Sequence, residues 1–142
     1  MTLLSRKCVP YTPLDRELSK CAVSLVTAAG VHRRDQEPFN NADELGDLTF
    51  RAIGGDAALA DLMVTHHHYD HRDADEDLNV VFPLEILRDL VEEGLIGQVA
   101  REHVGYMGYS MQLKQMYEQT APAIAEYVDK KAKADLVVLT GG

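Results

Sequence analysis

Apolar residues in this chain gather into short runs and one clear helical stripe. Ala22-Val-Ser-Leu-Val-Thr27 is apolar and β-branched and ends at Ala28-Ala29-Gly30, which predicts a buried strand running into a turn. Residues 35–47 are polar and turn-rich and read as a loop, after which Leu48–Ile53 alternates as a short strand closed by Gly54-Gly55. Leu62-Met63-Val64 predicts a further strand. Behind Pro83, the residues Leu84, Leu87, Leu90, Val91 and Leu95 recur at spacings of three and four, an amphipathic helix that Gly94 or Gly97 should end. His103–Tyr109 reads as a short strand or turn. Leu113, Met116, Tyr117, Ile124 and Val128 mark a second helical region. Pro122 inside it predicts a break near Thr120, with Thr120 capping a new helix from Ala121. Ala134–Thr140 is a continuous apolar run of buried-strand type, followed by Gly141-Gly142.

Strands alternating with helices, and apolar on both faces, predict an α/β fold. The expectation is one domain over residues 1–142, a mostly parallel, Rossmann-like sheet covered by helices and incomplete at its C-terminus. Ligands of such sheets lie outside the carboxyl ends of the strands. Three of these ends carry suggestive residues: Gly30 with His32, His66 with His68, and Gly141 with Gly142. Parallel strands would bring them to one rim.

Composition narrows the function. At 142 residues and 46% apolar content, one domain with a real core is expected. The net charge, 14 − 23 = −9, argues against a nucleic-acid backbone or an anionic membrane surface as partner. No run of 18 apolar residues is present, and no apolar segment follows the first basic residues, so a cytoplasmic protein is expected. Cys8 and Cys21 show no CxxC spacing and read as free thiols.

The densest chemistry lies in residues 65–83, which hold four of the six histidines and an acidic run. His66-x-His68-x-Asp70-His71 has the lettering of a zinc hydrolase motif, because imidazoles and a carboxylate on a strand-to-loop turn can activate metal-bound water. His103 is the only later histidine, so the downstream ligands of such an enzyme are missing. A simpler site on His66, His68 and His71 and a metal-free polar loop both remain open. Asp73, Asp75 and Asp77 imitate a calcium loop, but Leu78 and Leu84 stand where Gly and Glu are required. Their bland role is negative charge ahead of the helix that follows. No G-x-G-x-x-G occurs, which disfavours NAD binding in the usual manner.

An ordered set of segments resembles the selenoprotein B family, the substrate-binding component of glycine, sarcosine, betaine and D-proline reductases, together with shorter related proteins. The set begins with Tyr11-Thr-Pro-Leu14 and Val23–His32. It continues with His66-x-His68-Tyr-Asp70, Asp73-Ala-Asp75 and Asn79–Leu84, and then with Leu87–Gly97, Tyr106-Met-Gly108 and Ala134–Thr140. The resemblance implies a reductase component acting on an amine or amino-acid substrate, with thioredoxin-like or other reductase components as partners. A helix missing after Gly142 would leave apolar surface exposed, which a homo-oligomer could cover. The resemblance also implies a redox-active selenocysteine or cysteine just after the strand 134–140. The sequence stops at Gly142, so the expectation is a chain ended at an in-frame UGA codon or by cloning. His66, His68 and Asp70 become the candidate catalytic residues, and His32, Asp73, Asp75 and Asn79 the candidate substrate contacts. A zinc hydrolase and a non-catalytic binding subunit are the competing readings.

Overall fold

The computed structural model describes residues 12–42 and 44–142; Cys8 and Tyr11 lie outside the described residues. The central strand is β1 (Ala22–Thr27), buried along its whole length. One edge of β1 pairs in parallel with β7 (Leu136–Thr140), in register from Val23 with Leu136 to Thr27 with Thr140. The other edge pairs in parallel first with β5 (Gln98–Val99) and then with β6 (Glu102–Tyr106). The antiparallel partner of β6 is β3 (Phe50–Gly54), which completes a five-stranded, mostly parallel sheet in a mixed α/β fold.

Both faces of β1 are covered, which explains its unbroken apolar run. Val23 and Leu25 cluster with Leu84 and Leu87 of helix α2 (Leu84–Glu92), whereas Val26 clusters with Ile124 and Val128 on the opposite side. Helix α2 follows Pro83 as its spacing predicts. It ends in a Schellman cap: Gly94 at φ +73°, the Gly94 amide donating to Val91 and the Leu95 amide to Leu90. Leu95 belongs to this cap and is exposed, so the buried stripe is shorter than its spacing suggests.

Four readings need correction. Strand β7 is an edge strand: Leu136 and Val138 pack into the core while Val137 and Leu139 face outward, so its apolar run is not buried on both faces. The segment Leu62–Val64 (β4) does not enter the main sheet. It forms an antiparallel pair with β2 (Val31–Arg33), leaving one side of each strand to pack against the sheet. The acidic run is not loop throughout, because Arg72–Glu76 forms the short helix α1. Finally, no break occurs at Thr120. Helices α3 (Leu113–Gln115) and α4 (Ala121–Tyr127) alternate with π-helical turns at Met116–Thr120 and Val128–Ala132 in one continuous rod. The wide i→i+5 turn ahead of Pro122 accommodates a ring that an α-turn would reject. Instead of capping, Thr120 donates its hydroxyl to the Leu48 carbonyl.

Among the described residues no helix is long and apolar enough to cross a membrane. Cys21 is a buried free thiol whose Sγ donates to the Glu17 carbonyl.

Candidate functional site

The three strand-end segments do converge, although β4 reaches the rim by pairing with β2 rather than by joining the parallel sheet. Gly30, at φ +75°, lies so close to the Thr65–His66 backbone that a Cβ there would stand 2.5 Å from the Thr65 oxygen and 3.2 Å from the His66 Cβ. Gly142 sits under the ring of Tyr69, which a Cβ would meet at 2.5–2.8 Å. The Tyr69 hydroxyl donates to the Ala29 carbonyl at 2.9 Å. Tyr69 therefore ties the end of β1, the histidine loop and the end of β7 together. Burial, with Asp75 nearby, pushes its phenol up to about 12, so it stays a donor at neutral pH. Thr27 and Thr140, which end β1 and β7, both donate their hydroxyls to the Val81 carbonyl, at 3.0 and 2.6 Å. This clamp fastens the far end of the loop across the same strand ends.

The tightest functional geometry belongs to His66. Its Nδ1 accepts the His68 amide at 3.0 Å, so in the neutral ring the proton rides on Nε2. Burial, reinforced by the neighbouring His68, His71 and His67, holds its pKa below the usual histidine value. A neutral imidazole with a donor N–H results, edge-on to Tyr69 at 4.9 Å between ring centroids and to His68 at 5.6 Å. The His68 ring is exposed and stacks on Tyr109 at 3.5 Å and 17°. Together these rings make an aromatic and imidazole wall over the strand ends.

The remaining candidates lie elsewhere. His32 is 1% exposed, with Nδ1 donating to the Arg33 carbonyl and Nε2 accepting from the Thr65 hydroxyl, each at 2.7 Å. Its side chain faces the core, and its visible work is to orient Thr65. Asp70 is exposed and chelated by Arg72, which holds its carboxyl below the usual range. His71 engages Asp75 at 2.8 Å. Asp75 also lines a separate acidic cleft of about 420 Å³ with Glu76, Asp77 and Glu85. Asp73 is exposed on α1. Asn79 bridges Asp77 and Glu85, fixing the entrance to α2. Among the described residues no group of three His, Cys, Asp or Glu is placed to hold a metal ion. Sequence reading overlooked Tyr69 and Tyr109. Tyr69 lies inside the motif, where the neighbouring histidines drew attention. Tyr109 is 41 residues from His68, and no spacing links them.

Comparison with known proteins points to one group. The model of the glycine/sarcosine/betaine reductase selenoprotein B family matches residues 2–142. The D-proline reductase subunit gamma of Acetoanaerobium sticklandii is 42% identical over 132 residues, covering 93% of this chain and 53% of the relative. The sarcosine reductase complex component B subunit beta of Peptoclostridium acidaminophilum is 32% identical over 70% of this chain and 23% of its own length. The glycine reductase complex component B subunit gamma of Symbiobacterium thermophilum is 30% identical over 93% of this chain and 31% of its own length. The chain thus spans about half of one of these relatives and a third or less of the others. No solved structure matches it. With the family model matching residues 2–142, nearly the whole chain, this chain belongs to the glycine/sarcosine/betaine reductase selenoprotein B family.

Proposed function

We propose that this chain is a component of a selenol- or thiol-dependent reductase, and that it positions an amino-acid or amine substrate for reductive cleavage of a C–N bond. The observation that carries this reading is the meeting of Gly30, His66 and Gly142 around Tyr69 at one rim of the sheet. The selenol or thiol that the family resemblance implies supplies the nucleophile. The end of β7 fits it, because Gly141 and Gly142 lead the backbone under Tyr69, beside His66, where a larger residue than Gly142 would be excluded. The neutral imidazole of His66 donates from Nε2 to a substrate carboxylate or passes a proton toward the leaving amine. His68, braced on Tyr109, flanks His66 on the outer side of this rim.

The test uses the assembled reductase that contains this chain, assayed with D-proline, glycine, sarcosine and betaine. His66→Ala should lower kcat/KM by about two orders of magnitude or more, the usual worth of a positioned proton donor. His68→Ala should act chiefly on KM. Wild-type kinetics in both variants would remove these histidines from the reaction.

A further inference from the structure

We propose that the helical rod 113–132 is a self-association surface, on which a second copy of this chain docks in antiparallel fashion about a two-fold axis near Ala121. The rod buries few of its residues against its own sheet, among them Thr120, Ile124 and Val128. Its outward stripe reads Leu113, Tyr117, Ala121, Ala125, Asp129, with steps of four throughout. The π-helical turns at 116–120 and 128–132 are wider than α-turns, so steps of four stay aligned along one face. Leu113 and Tyr117 are 60% and 72% exposed, large side chains that no described residue covers.

The other half of the stripe borders a cavity. Ala121, Ala125, Val128 and Asp129 form one wall of an apolar groove of about 500 Å³, and Val137 and Leu139 of β7 form the facing wall. Small residues on one half and large ones on the other make the surface self-complementary, as an isologous contact requires. With the axis at Ala121, Tyr117 of one copy meets Ala125 of the other and enters its groove, while Leu113 lies at the Asp129 end. Charge selects the same arrangement. Lys114 and Asp129 stand at opposite ends of the stripe, and neither has an ion-pair partner among the described residues. Antiparallel docking brings each Lys114 to the other copy's Asp129, twice. Parallel docking would set Lys114 on Lys114 and Asp129 on Asp129.

Sedimentation equilibrium of the 142-residue chain at tens of micromolar should give twice the 15.8 kDa monomer mass. Ala125→Glu, which blocks the groove, and Lys114→Glu should each raise the dissociation constant by about tenfold or more. Far-UV circular dichroism should stay unchanged. The double variant Lys114→Glu with Asp129→Lys should restore the dimer, which no general loss of folding could imitate. A strictly monomeric wild-type chain would overturn the proposal. So would a dimer indifferent to both single changes, or one in which the charge exchange gives no recovery. If Ala125→Glu does not fold, the charge-exchange pair decides alone.

Discussion

Replacing Gly105 with Ala should unfold the domain. Gly105 sits in the middle of β6, paired with Thr27 of β1 on one side and with Arg51 of β3 on the other. Strand β2 crosses directly over it, and a Cβ at Gly105 would stand 1.9 Å from the Val31 oxygen and 2.9 Å from the Val31 carbonyl carbon. Both obstacles are backbone, and β2 is held in place by its own pairing with β4 and by the Gly30 amide donating to the Tyr106 carbonyl. Neither layer can yield without breaking a ladder. Overpacking that forces backbone apart belongs with the largest single-residue effects, about 4 kcal/mol or more, a major part of a domain's stability of about 5–15 kcal/mol. Urea unfolding followed by circular dichroism provides the measurement. Gly94→Ala is the internal control: it has positive φ, which Gly105 does not, but among the described residues nothing beyond its own helix and chain neighbours lies within 4 Å of the added Cβ, so only the left-handed backbone cost of about 1–2 kcal/mol applies. A Gly105→Ala protein as stable as the control would mean that β2 does not lie on β6.

That crossing also marks where the sequence stops being legible. Strands β1 and β7 and helix α2 were readable because their signals are local: apolar runs of strand length, and a stripe of helical spacing between Pro83 and Gly94. What Leu62–Val64 pairs with is a long-range matter, settled by the closeness of Gly30 to Thr65 and of Gly105 to Val31, and a glycine in a sequence does not name what approaches it. The Thr120 break failed for a related reason. Pro122 excludes a regular α-turn, but a π-helical turn is a second solution with no residue signature. At the site, parallel-sheet rules foresee the meeting of the β1 and β7 ends, whereas the histidine loop reaches the same rim through the antiparallel β2–β4 pair, which those rules do not foresee. Which histidine faces the rim was not legible either, because burial of His32 depends on Phe39 and Thr65 closing over it from separate segments.

A second large effect is expected at His103, the histidine left without a role in the sequence reading. Between the pairs Val23–Val99 and Val26–Val104 two residues of β1 face four of its neighbour, so the ladder is interrupted at Ser24 and Leu25. His103 repairs the gap. Its Nδ1 accepts the Leu25 amide at 2.9 Å, and the Ser24 hydroxyl donates to the Glu102 carbonyl at 2.9 Å. The ring is fully buried edge-on to Phe82, and its Nε2–H finds no acceptor among the described residues. His103→Leu strands a buried amide and should cost about 1–3 kcal/mol, while His103→Gln, which keeps an acceptor, should recover part of that. Protonation strands the amide in the same way, since Nδ1 then becomes a donor. Burial, with Arg88 adding repulsion, lowers the His103 pKa from 6.5 to about 4. In the unfolded chain the ring takes up its proton near 6.5, so stability is complete above that pH. It declines as the pH falls toward 4 and levels off below, for a loss on the order of 3 kcal/mol. His32 and His66 are lowered too and steepen the same window. The wild-type advantage over His103→Gln at pH 7 should therefore disappear by pH 4.5, where the Gln variant is at least as stable. A difference between the two proteins that stays constant across that range would show that His103 does not hold the ladder in its neutral form.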